Sequence, residues 1–197
     1  MSHQDVLALT SSGTPHQWMH WQDAITAKFK GLISYEFGDE SLYFGGVSRM
    51  TGERSTIEVK SIIALKGNFK FQPRIPALTN QNLFKRDLHI CGYCGRLESK
   101  STVLTRDHII PVSRGGKDTW TNCISACKKC NNYKDDNLLS DTDLELLWVP
   151  YTPTKDEHLI MQNRNILIDQ AKFLLNFVPE HSRMKVLMER KFGDQLN

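Results

Sequence analysis

Apolar residues fall in short clusters along this chain, and their spacing predicts an alternation of strands and helices. Residues 5–10 (Asp5 to Thr10) read as a brief apolar strand, closed by the Ser/Gly/Pro cluster at 11–15. From Trp18 to Lys30 the residues Trp21, Ile25 and Phe29 recur every fourth position, one face of a helix, with Gly31 placed as its stop. Leu32–Phe37 and Ser41–Val47 are aromatic and rich in strand formers, with Asp39-Glu40 as the turn between them, and Thr56–Leu65 continues the pattern. Pro73, Arg74 and Pro76 mark a connector, and Thr79 is placed to cap a short helix through Asn82-Leu83-Phe84-Lys85-Arg86-Asp87. Beyond Pro150 and Pro153, Ile160, Leu167 and Leu174 recur every seven residues beside Ile166, Phe173 and Phe177. That spacing predicts one long helix over 156–177, interrupted at Pro179, and a last helical piece from Ser182 to Phe192. The stripe serves either packing within the chain, the favoured reading, or a homodimer contact. Trp18, Trp21 and Trp148 read as core residues.

Composition adds limits. The chain has 197 residues, 40% of them hydrophobic and 24% charged, enough for one domain with appendages or two small ones. No run of apolar residues is long enough for a membrane helix, and Met1-Ser2-His3-Gln4-Asp5 lacks the form of an export signal. The expectation is a soluble, cytoplasmic protein. A net charge of +3 is too mild to name a partner. The five cysteines are an odd number, which disfavours a disulfide framework. Four form two C-x-x-C pairs, Cys91/Cys94 and Cys127/Cys130, while Cys123 lies in an apolar stretch and reads as a small core residue. One such pair is as compatible with redox chemistry as with metal. Two pairs in one chain suit tetrahedral Zn²⁺, since a tight turn lets both sulfurs of each pair reach one ion.

Thirty-two residues separate Cys94 from Cys127, more than a minimal zinc ribbon needs. That interval holds Asp107-His108-Ile109-Ile110-Pro111, Gly115-Gly116 and Asn122, and Cys130 is followed by Asn131, Asn132, Tyr133 and Lys134. In order, these are C-x-x-C, D-H-I-x-P, G-G, an Asn, and C-x-x-C-N-x-x-K. The segment, about a quarter of the chain, resembles HNH endonucleases of the cysteine-flanked type, as found in stand-alone bacterial and phage proteins. No single element is specific; the joint pattern is.

The resemblance implies a ββα-metal nuclease core stapled by a structural zinc on Cys91, Cys94, Cys127 and Cys130. It implies His108 as the general base that activates water, and Asp107 with Asn131 holding one Mg²⁺ or Mn²⁺ that stabilises the leaving group. Asn132 is a substitute for Asn131. Asn122 would tie down the loop between the strands and orient the histidine. The products implied carry 5′-phosphate and 3′-hydroxyl ends. Adjacent strand residues point to opposite faces, so Asp107 and His108 would not normally converge on one point; the resemblance implies that the Asp ligates the cation from one side of the scissile phosphate while the His approaches from the other.

Charge supports a nucleic-acid substrate once it is counted locally. Residues 79–134 carry ten Lys/Arg against four Asp/Glu, an excess of +6, and the remainder of the chain is at −3. Arg106, Arg114, Lys128 and Lys134 are the expected DNA contacts; Lys128, Asn131 and Lys134 share one helix face. Lys85-Arg86 is as compatible with a solvated helix face. The expected architecture is α+β, with an N-terminal α+β unit (1–78), a zinc-stabilised HNH domain (79–150) and a C-terminal helical extension (151–197). The expected function is metal-dependent hydrolysis of phosphodiester bonds in double-stranded DNA, with no membrane partner. RNA as substrate, or a non-catalytic zinc-stabilised nucleic-acid-binding module, stays open.

Overall fold

The first apolar run forms β1 (Val6–Leu9), which is buried throughout. The computed structural model describes residues 4–67, 75–97, 104–163 and 165–196. The expected connector at Pro73-Arg74 lies outside them. The chain divides into two units, and each is α+β. The first comprises Met1–Pro73, Gln162–Pro179 and Met188–Asn197; the second comprises Arg74–Met161 and Glu180–Leu187. The C-terminal residues expected as a separate extension are therefore shared between the two.

In the first unit, β1, β2 (Pro15–Met19), β3 (Ile33–Val47) and β4 (Arg54–Leu65) form one sheet in the order β2-β1-β4-β3. β1 runs antiparallel to β2 and parallel to β4, and β3 pairs antiparallel with β4. α1 (Trp21–Phe29) starts later than the apolar spacing predicts, because Pro15–Met19 pairs with β1 as a strand instead. Its Ala24 and Ala27 pack with Val6, Ala8, Val59, Ile63 and Leu65. Trp18 and Trp21 are half-buried.

Two other elements differ from expectation. The turn expected at Asp39-Glu40 is a bulge inside a single long strand, with the register shifting between Phe37 and Ser41. Gly38 takes φ +101° there, and a Cβ on it would run into the Asp169 carboxylate. That carboxylate accepts from the Glu40 amide at 3.2 Å and from the Ser61 hydroxyl, so the bulge is held from outside the strand. The long helix expected over 156–177 is two helices, α4 (Lys155–Gln162) and α5 (Ile168–Leu175). Between them the Asn165 amide donates to Asn163 Oδ1 at 2.8 Å, and the Leu167 amide donates to Gln170 Oε1 at 3.0 Å. Those side chains replace the helical bonds and start α5 afresh.

In the second unit Thr79 caps α2 (Asn80–Arg86), its Oγ1 accepting from the Asn82 amide at 3.1 Å. β5 (Leu104–His108) and β6 (Cys123–Cys127) form an antiparallel hairpin, and α3 (Lys128–Lys134) follows directly. α6 (Arg183–Phe192) begins in this unit, with the Arg183 guanidinium 3.7 Å over the Trp148 ring. Among the described residues no helix is long and apolar enough to cross a membrane.

Candidate active site and metal centre

The site is built on the β5–β6–α3 unit. Its register pairs Thr105 with Ala126, Arg106 with Ser125, Asp107 with Ile124 and His108 with Cys123. Side chains alternate along a strand, so Thr105 and Asp107 share one face and Arg106 and His108 the other. The first face is turned to α3. Asn131 Nδ2 donates to Thr105 Oγ1 at 2.9 Å, and Lys134 Nζ lies 3.3 Å from Asp107 Oδ1 and donates to the His108 carbonyl at 2.8 Å.

Asp107 is only 5% exposed. Its second oxygen accepts from the Tyr93 hydroxyl. Burial, and then the bond to Asp107, push the Tyr93 phenol well above its ordinary range, so it remains a donor. Lys134, expected to face phosphates, is fully buried, and its ammonium is occupied by Asp107 and the β5 backbone. A buried carboxylate needs a cation or several donors, and Lys134 supplies the charge.

On the opposite face, His108 is a quarter exposed, and its Nε2 lies 2.9 Å from Asp118 Oδ1. Arg106 Nη1 contacts both Asp118 oxygens at 2.7 Å, and the Cys123 thiol approaches Oδ1 at 3.3 Å. The Arg106 guanidinium is the main reason the Asp118 carboxyl is held down at about 2. Burial first, and then Asp118, push the Cys123 thiol up to about 12. Arg106 also bonds Asn80 Oδ1 at 2.9 Å, so this expected DNA contact is engaged within the protein. Arg114 and Lys128 are exposed, Arg114 lying 3.3 Å from Asp141.

Between the strands the chain reverses through Pro111 and the Gly115-Gly116 pair. Gly115 has φ +87°, and a Cβ on Gly116 would run into the Ile110 carbonyl, so both positions require glycine. Asn122 closes this loop. Its Nδ2 donates to the carbonyls of Ile110 (3.0 Å) and Lys117 (2.9 Å), and its Oδ1 accepts from the Ile110 amide at 2.9 Å. An aspartate could not make the two donations.

The two C-x-x-C pairs meet beside the hairpin. One brackets a tight turn in which the Cys91 amide donates to the Arg96 carbonyl at 2.9 Å; the other spans the start of α3. The four sulfurs lie within 4.8 Å of one another. Cys94 and Cys127 Sγ are 3.9 Å apart, against about 3.8 Å for sulfurs each about 2.3 Å from a tetrahedral zinc. The donor set fits that ion and leaves no open position. Fit to a hard catalytic cation rests on donor chemistry. Asp107 offers a carboxylate, and Asn131, whose amide nitrogen is bonded to Thr105, offers an amide oxygen on the same side of β5. Such an ion would share Asp107 with Lys134.

The sequence reading gave no site role to Tyr93, Asp118 or Asp87, and it read Arg86 as a phosphate contact or part of a solvated helix face. Arg86 and Asp87 are wholly buried, so neither a solvated face nor a phosphate contact describes Arg86.

A four-cysteine cluster thus flanks a strand hairpin and helix, with an Asp-His pair on the first strand. Residues 91–137, about a quarter of the chain, match the family model for HNH endonuclease. The chain is also similar to the type IV methyl-directed restriction enzyme EcoKMcrA of Escherichia coli (strain K12), at 27% identity over 66% of this chain and 48% of that protein. The chain thus spans about half the length of the curated relative it matches. No solved structure matches it significantly.

Proposed function

We propose that the chain is a metal-dependent HNH endonuclease that hydrolyses phosphodiester bonds in double-stranded DNA, with His108 as the general base. The observation that carries this reading is the placement of Asp107 and His108. They are adjacent on β5 but turned to opposite faces, one toward the helix that bears Asn131 and the other toward solvent. A base that must reach water belongs on the open face, and a charge-balancing carboxylate on the covered one.

In this mechanism His108 takes the proton of the attacking water. Asn122 keeps the Ile109–Asn122 loop closed, which fixes the end of β5 and so the imidazole. Asp107 and Asn131 would hold Mg²⁺ or Mn²⁺. When bound, such an ion supplies Lewis-acid polarisation of the phosphate and charge compensation for the leaving oxygen. Cys91, Cys94, Cys127 and Cys130 would hold a structural Zn²⁺, about one per chain by elemental analysis. Arg114 and Lys128 are the remaining phosphate contacts among the expected residues. The named relative acts in restriction and is methyl-directed, which supports DNA as the substrate and makes methylation the first variable to test.

The test is incubation of supercoiled plasmid, methylated and unmethylated, with the purified protein and Mg²⁺ or Mn²⁺. Nicked or linear product is expected, and His108→Ala should lower the rate by at least about 100-fold. Unchanged cleavage by His108→Ala would sink the assignment of the base. Salt-sensitive binding without cleavage in either metal would replace the reading with a non-catalytic module.

A further inference from the structure

We infer that Asp118 is the positioning residue for His108, holding its imidazole in the tautomer that carries the proton on Nε2 and leaves the Nδ1 lone pair to accept a proton from water. The inference rests on the nuclease reading of His108 and deepens it. An ionised carboxylate only accepts hydrogen bonds, so an imidazole nitrogen 2.9 Å from Asp118 Oδ1 must donate. A neutral imidazole has one donor and one acceptor nitrogen. Fixing Nε2 as the donor therefore fixes Nδ1 as the base.

The carboxylate is itself fixed. Arg106 grips both oxygens at 2.7 Å and is anchored in turn by Asn80 Oδ1, while the Cys123 thiol donates from the neighbouring strand. His108 and Cys123 are cross-strand partners, so the hairpin register brings them together. Asp118 reaches the same point from the loop that Asn122 closes. When water attacks, its oxygen bonds to phosphorus, the bond from phosphorus to the 3′-oxygen breaks, and solvent protonates the departing alkoxide. The water proton moves to Nδ1, and the resulting imidazolium faces the Asp118 carboxylate. In this role Asp118 does not touch substrate.

The same atoms of His108, Asp118 and Cys123 lie within 4.8 Å of one another, which is also a metal-binding spacing. The surroundings favour the hydrogen-bonded arrangement. A guanidinium already neutralises Asp118, and Cys123 is held as a thiol, a poor ligand.

The experiment compares the wild-type full-length protein with Asp118→Ala and Asp118→Asn, first confirming that all three unfold at similar temperatures. Single-turnover cleavage of duplex DNA in Mn²⁺ should show a maximal rate lowered by about 10- to 100-fold in Asp118→Ala. Half-saturation by DNA should stay within about two-fold, because Asp118 contacts no phosphate in this scheme. Nitrogen-15 NMR of the imidazoles should show His108 as one tautomer, Nε2 protonated, in the wild type and as a mixture in Asp118→Ala. An unchanged rate, an unchanged tautomer, or a loss confined to DNA affinity would each overturn the inference while leaving the nuclease reading intact. So would a second tightly held metal ion that disappears in Asp118→Ala. A wild-type protein that cuts nothing removes the nuclease reading and this inference with it.

Discussion

Arg86 donates from all five of its N–H groups. Nε and Nη2 bond the two Asp87 oxygens at 2.8 and 3.1 Å; Nη1 reaches the carbonyls of Trp120 (2.7 Å) and Tyr151 (3.0 Å), and Nη2 that of Cys123 (2.9 Å). Asp87 in turn accepts from the Ser125 amide and the Trp148 indole. A planar fork of five donors can satisfy a carboxylate and three carbonyls at once, and a lysine cannot. Arg86→Met leaves a carboxylate buried without its cation. It should destabilise the protein by about 3–5 kcal/mol, read as a lower urea midpoint at constant slope. The local sequence offers only the neighbouring Asp87, since the other three bonds go to backbone oxygens brought from 34 to 65 positions away by the fold. Asp118 was illegible for the same reason: its partners are set by hairpin register and loop closure. Asp107, His108, Asn122 and Asn131 stood out because a fixed order of residue types announced them.

At the scale of elements, local signals read well and tertiary ones did not. The Thr79 cap and the C-x-x-C spacings are short-range geometry, and a single chain displays them directly. The heptad spacing of Ile160, Leu167 and Leu174 was a coincidence of two stripes. Leu159, Ile160 and Met161 are buried on α4, and Ala171 and Leu174 on α5, with Asn163 and Asn165 breaking the helix between. Gln170 shows why α5 stays where it is, its Nε2 donating to the carbonyls of Asp5 and Ser61 at 3.0 and 2.8 Å. Cys91, Cys127 and Cys130 pack with Tyr93, Ile124 and Ala126 of the hairpin region in one cluster. A structural zinc contributes about 10–16 kcal/mol in small domains, as much as the whole stability of an ordinary one. Removing it with a strong chelator should collapse hydrogen-exchange protection across β5 and β6. Amides of β1 and β4, in the other unit, should keep theirs.

For the whole molecule, the mild net charge of +3 conceals a basic segment at 79–134, and burial decides which of its charges can reach a ligand. Arg114, Lys117, Lys128 and Lys129 are exposed, whereas Arg86 and Lys134 are sealed inside. Binding of duplex DNA should therefore weaken with salt along a logarithmic slope near about −3 to −4, as for about four neutralised phosphates. Lys128→Gln and Lys129→Gln should each flatten that slope by about one, measured by fluorescence anisotropy. The position of Tyr93 carries a consequence for any work with chelators. It sits between Cys91 and Cys94 in the chain, and its hydroxyl bonds Asp107, so the turn that would grip zinc also roofs the carboxylate proposed to hold the catalytic ion. If Cys91, Cys94, Cys127 and Cys130 hold zinc and Asp107 the second ion, treatment with a strong chelator followed by magnesium alone should restore little cleavage, and zinc added before magnesium should restore it, because zinc would rebuild the turn that carries Tyr93.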